Sequence, residues 1–74
     1  VSAQEAITAV AAEMGLRPGD IVSKRRYREL VQARHRVACM LQDAGWTLGR
    51  IGRELGGRDH STIVSLLKGG KGRP

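Results

Sequence analysis

The 74-residue chain has no phenylalanine, one tryptophan (Trp46) and one tyrosine (Tyr27). Proteins that hold single strands or unpaired bases stack them on aromatic rings, so this scarcity disfavours single-stranded nucleic acid and RNA as ligands. The one cysteine, Cys39, excludes an intramolecular disulfide and fits a reducing compartment. No apolar run approaches the ~20 residues that span a bilayer, and no secretory signal is visible. The phosphate-cradling pattern Gly-x-x-x-x-Gly-Lys-Ser/Thr is missing. No Ser/His/Asp arrangement has support either, so the chain reads as a non-enzyme without a cofactor. Strand alternation and internal repeats are lacking too, which leaves an all-α fold.

What the chain does have is positive charge. Thirteen Lys and Arg stand against seven Asp and Glu, a net charge of +6. Such an excess points to a polyanion, either nucleic acid or an anionic membrane surface. It is concentrated: from Arg17 to Arg36 there are seven Lys or Arg and two acids. Lys24-Arg25-Arg26 then reads either as a phosphate-tracking edge or as an ordinary solvated charge run. An arginine here would suit the enhanced negative potential of a narrow A/T-rich minor groove.

Helix signals divide the rest. Ser2 and Glu5 fit a capping box, followed by apolar residues at Ala3, Ala6, Ile7, Val10, Ala11 and Met14, with Gly15 as the stop. Pro18 suits the first turn of a short helix. A longer helix is expected from about Tyr27 to Ala44, with Leu30, Ala33, Val37, Met40, Leu41 and Ala44 on its inner side and Gly45 at its end. Trp46 is expected to plug the core. Thr47 is a good N-cap for a helix whose inward residues are Leu48, Ile51 and Leu55, and Gly52 is small where a partner should approach closely. The last helix begins near Asp59 or His60 and is anchored by Ile63, Leu66 and Leu67. Residues 1–68 are read as one domain. Residues 69–74 are glycine-rich and read as a flexible tail or linker. The chain opens on Val1 rather than Met, as a piece of a longer protein would.

The most informative run is Gly56-Gly57-Arg58-Asp59-His60-Ser61-Thr62-Ile63. Two glycines permit a tight turn, polar side chains crowd a helix N-terminus, and an apolar anchor follows. That is the construction of a helix-turn-helix, whose second helix enters the major groove by its N-terminal end. Free amides and a partial positive charge at a helix start suit phosphate. His60 can donate to a purine N7, and Asp59 can accept from cytosine N4 or serve simply as N-cap.

Three stretches resemble the C-terminal DNA-binding domain of the bacterial DnaA initiators: Ser23-Lys24-Arg25-Arg26, the segment Ala33 to Ala38, and Leu48 to Ile63 with its Gly-Gly-Arg-Asp-His signature. The similarity covers about residues 7 to 68. The resemblance implies a Trp-repressor-like helix-turn-helix that reads an asymmetric double-stranded element, one domain per element. It implies that Asp59, His60 and Ser61 face base edges, that Thr62 meets phosphate, and that Arg58 supports this end or touches the backbone. It further implies Arg26 in the minor groove beside Lys24 and Arg25, phosphate contacts from Arg34 and His35, and Thr47 among the DNA-contacting residues.

The chain departs from the family pattern in several places. Serine stands at 61 where threonine is usual, which removes a methyl that would meet a thymine methyl. His35 replaces a frequent glutamine, and Gln42 a frequent lysine. The link at Gly45-Trp46 is about one residue short. The AAA+ motor of the initiators is not within these residues. Together these incline the reading toward a DnaA-like transcription activator without the motor, although a fragment of a replication initiator would read the same. The expected setting is cytoplasmic and nucleoid-associated, the expected state a monomer. The chief rival is a module that docks a replication or transcription factor. A membrane-surface helix and a metal site at His35 and Cys39 are weaker rivals, since the apolar stripe is needed for the core and structural zinc wants four ligands.

Overall fold

A computed structural model describes residues 2–25 and 27–69, arranged as five helices: α1 (Ala3–Met14), α2 (Pro18–Ile21), α3 (Arg28–Asp43), α4 (Leu48–Glu54) and α5 (His60–Gly69). Among the described residues no strand occurs, and the fold is all-α as expected. Arg26 and residues 70–74 lie outside the described residues, and with them the expectations of a minor-groove Arg26 and of a tail beyond position 69. Residue 69 itself closes α5 rather than opening a linker.

Each helix boundary has a local cause. Ser2 Oγ accepts from Glu5 N at 3.1 Å and Glu5 Oε1 accepts from Ser2 N at 3.2 Å, which completes the capping box of α1. Gly15 adopts φ 69°, and the Leu16 amide reaches back to the Ala11 carbonyl at 2.8 Å. This Schellman closure uses carbonyls that the helix end leaves unpaired. The same device ends α3: the Gly45 amide bonds to Gln42 O at 3.0 Å and the Trp46 amide to Leu41 O at 3.0 Å. Trp46 is thereby turned back onto the core, where it is half-buried, with the Arg50 guanidinium 4.2 Å from its ring centre. Thr47 Oγ1 accepts from Arg50 N at 3.3 Å and caps α4.

The core joins Ile7 and Val10 of α1, Ile21 of α2, Val37, Ala38 and Leu41 of α3, Ile51 and Leu55 around α4, and Ile63 of α5. Two residues expected on the inner side of α3 are exposed, Met40 and Ala44. Their places are taken by Ala38 and, unexpectedly, by Arg34. The inner face therefore runs Leu30, Arg34, Val37, Leu41, the i, i+4, i+7, i+11 spacing of one helical stripe. On the outside, Arg36 of α3 pairs with Glu13 of α1, and because both side chains are exposed the pair contributes little.

Gly52 is buried, and a Cβ there would overlap the Arg58 carbonyl and sit 3.2 Å from Ile63 Cγ1. Gly49, also in α4, faces open space. Gly52→Ala is therefore expected to destabilise the fold by about 1–3 kcal/mol through overpacking, despite a helix-propensity gain of about 1 kcal/mol. Gly49→Ala keeps that gain with no clash and is expected to stabilise. Urea denaturation of the two variants reads the opposite signs.

Candidate nucleic-acid interface

The turn between α4 and α5 is built on two consecutive left-handed glycines, Gly56 at φ 97° and Gly57 at φ 78°. A side chain would be strained at either position. The turn folds back on α4: the Arg58 amide donates to the Gly52 carbonyl at 2.8 Å and the Gly57 amide to the Arg53 carbonyl at 3.2 Å. Asp59 then stands at the N-cap, its carbonyl accepting from the Ile63 amide at 3.1 Å. The Asp59 carboxylate takes no hydrogen bond from the described residues and is exposed, as are His60, Ser61 and Thr62. Ile63, next in the chain, is fully buried. The start of α5 is thus an apolar anchor with four consecutive polar residues standing free of the core.

The basic loop after α2, described over residues 22–25, lies against this same turn. A cleft of about 440 Å³ is lined by Lys24 of the loop, Val31 and Arg34 of α3, Gly57 and Arg58 of the turn, and Thr62 of α5. Lys24 and Arg25 are exposed. Ser23 shapes the loop: its Oγ donates to Asp20 O at 2.6 Å and accepts from Arg25 N at 3.3 Å. At Gly56 an added Cβ would overlap the Val22 carbonyl, so the loop and turn backbones touch with no room for a side chain between them.

Three of the expected contact residues have other posts. Arg34 is only 3% exposed. Its Nε donates to Ile21 O at 2.6 Å, and its Nη2 to Ser23 O at 2.7 Å and to Asp20 O at 3.4 Å. Two of those carbonyls lie at the C-terminal end of α2, where helix carbonyls lack partners and a cation is favourable. Arg34 is a buried cap that pins the basic loop, not an open phosphate clamp. The signal was in the sequence: Arg34 sits on the apolar stripe of its helix, four residues after Leu30 and three before Val37.

His35 is half-buried between α3 and α5, with Nδ1 3.3 Å from the Leu66 carbonyl. A carbonyl only accepts, so this contact requires a proton on Nδ1, and Nε2 lies 3.6 Å from the Cys39 sulfur. Both ring nitrogens have partners inside the chain, with which the expected phosphate contact would compete. Thr47 is exposed, but its hydroxyl oxygen serves as the cap of α4. Among the described residues no group of three or more metal-ligating side chains occurs, and no helix is long and apolar enough to cross a membrane. Sequence reading did not single out Tyr27, whose ring is 60% exposed beside the loop with the Arg25 guanidinium 6.0 Å from its centre.

Comparison with known proteins decides the family. The model described as "Bacterial dnaA protein helix-turn-helix" matches residues 3–68. The chain belongs to the bacterial DnaA helix-turn-helix family. It is also 35% identical over 60 residues to a chromosomal replication initiator protein DnaA from Pelobacter propionicus, an alignment that covers 80% of this chain and 13% of that relative. The chain thus corresponds to a small part of the length of the initiator it matches. No solved structure matches it significantly. Within the DnaA-type domain, the matched segment includes the basic loop, the α4–α5 turn and the exposed tip of α5.

Proposed function

We propose that this DnaA-type domain binds double-stranded DNA sequence-specifically, with α5 reading base edges in the major groove and Arg26 entering an adjacent A/T-rich minor groove. One observation carries the reading: Asp59, His60, Ser61 and Thr62 are all exposed at the start of α5, on a turn that the basic loop touches. In this arrangement His60 donates to a purine N7 and Asp59 accepts from a cytosine amine. Thr62, at the edge of the cleft, meets phosphate with Lys24 and Arg25. Arg34 and His35 act behind this surface, holding the loop and the far end of α5. The similarity to a replication initiator favours a role in replication initiation over transcription regulation, and one domain binds one element as a monomer.

The test is selection of bound duplexes from a random pool by the 74-residue chain. Enrichment of an asymmetric element with an A/T-rich end supports the reading. Retention of no duplex would reject it and favour a protein-docking module. Affinity for the enriched duplex is expected to fall with salt at a log–log slope of about −4.5 to −6, from about five to seven neutralised phosphates. A slope shallower than about −2 contradicts duplex binding as the main activity.

A further inference from the structure

We propose that Arg58 is a positioning residue that fixes the offset between the basic loop and the tip of α5, so that the two engage DNA as one rigid gauge. The proposal rests on the DNA reading above and adds to it a constraint on the spacing of the target.

The carbonyl of Ser23 is the junction. It accepts from Arg34 Nη2 at 2.7 Å and from Arg58 Nη2 at 2.8 Å. Arg34 belongs to α3 and ties the loop to the body of the domain. Arg58 belongs to the α4–α5 turn, and its Nη1 also donates to the Leu55 carbonyl at the end of α4. One guanidinium therefore bridges the loop and the reading head. Because its donors lie in a rigid plane, it fixes orientation as well as distance. The close approach of Gly56 to the Val22 carbonyl sets the two backbones in contact at the same place. Without Arg58, Ser23 stays held to α3, but its hydrogen-bonded link to the turn is gone.

The consequence is geometric. Lys24 and Arg25 on the loop meet the duplex at a set distance from His60. Inserting one base pair between the two parts of the target displaces them by about 3.4 Å and rotates them by roughly a tenth of a turn. A rigid gauge does not follow that change, whereas a loosely tethered loop does.

The experiment uses the duplex enriched from the random pool and a second duplex with one base pair added between its A/T-rich end and the remainder. The unaltered chain is expected to bind the lengthened duplex roughly tenfold or more weakly, the scale of a lost specific contact. Arg58→Ala and Arg58→Lys are both expected to weaken binding to the original duplex and to reduce that penalty to about twofold or less. Lysine keeps the charge but not the planar fork, so wild-type behaviour in Arg58→Lys would overturn the proposal. So would a full spacing penalty in Arg58→Ala accompanied by uniform affinity loss, the mark of a phosphate contact. The second readout needs no DNA: the heteronuclear NOE of the Lys24 and Arg25 amides should fall in both variants while those of Val37 and Leu41 hold, which also verifies the fold. Loop amides as rigid as in the wild type would reject the docking role. If the unaltered chain retains no duplex, the DNA reading falls and the spacing role with it, while the NOE still reports whether Arg58 pins the loop.

Discussion

His60→Ala is expected to lower affinity for the enriched duplex about 10- to 100-fold, the worth of one good base contact, while leaving affinity for unrelated duplex within about twofold. The asymmetry follows from position. His60 is the first residue of α5 and is exposed, with neither hydrogen bond nor ion pair to the described residues. Its ring is free to point into a groove, and removing it takes nothing from the core. Stability should therefore change by no more than about 0.5 kcal/mol, the usual range for surface substitutions. Fluorescence anisotropy at one fixed salt concentration, on enriched and random duplexes, separates the outcomes. A parallel loss on both would show that His60 contributes to general adhesion and not to reading.

Arg34→Met is expected to act the opposite way, on the fold before the DNA. The side chain is of similar length and apolar, so the volume is roughly kept. What disappears is the set of donors to Ile21, Ser23 and Asp20 carbonyls in a nearly inaccessible site. Hydrogen bonds to charged groups contribute roughly 1.5–3 kcal/mol each, and an orphaned buried acceptor costs about 1–3 kcal/mol. A loss of about 3 kcal/mol lowers the melting temperature of a domain this small by roughly 12–24 °C. That is a large share of the total stability of a small domain. Arg34→Lys should restore only part of it, because an ammonium does not reproduce the fork geometry. Thermal melts followed by circular dichroism give the answer. Unchanged melting together with lost affinity on every duplex would return Arg34 to the role of a plain phosphate contact.

Much of the domain was legible along the chain because its boundary signals are local. A capping box needs only Ser2 and Glu5. A Schellman closure needs a glycine where Gly15 and Gly45 stand. Pro18 does start a short helix, and Thr47 does cap α4. The tip of α5 was legible for the same reason, since paired glycines before a polar-then-apolar run prescribe a turn and a helix whose polar residues precede its anchor. The inner face of α3 was less so. Met40 and Ala44 fit the apolar pattern as well as Ala38 does, and only contact with the other helices chooses between them. Gly52 was read as room for a neighbouring helix; in fact the nearest atom is the carbonyl of Arg58, with Ile63 of α5 close behind.

The arginines mark the boundary between the two kinds of information. Composition and motif establish that the chain is basic, helical and tipped with hydrogen-bonding residues, because those properties belong to residues taken singly or within a turn of one another. They do not sort cations into those that face solvent and those that hold the protein together. Arg34 reaches Ser23 across 11 residues and Arg58 reaches it across 35. Such bonds exist only after α2, α3 and the α4–α5 turn have packed, since it is burial of Ile21, Leu41, Ile51 and Ile63 that brings their backbones together. The packed core then places the carbonyls of Ile21 and Ser23 where Arg34 and Arg58 supply their donors, and that need, not the local run of charge, assigns the two arginines their places.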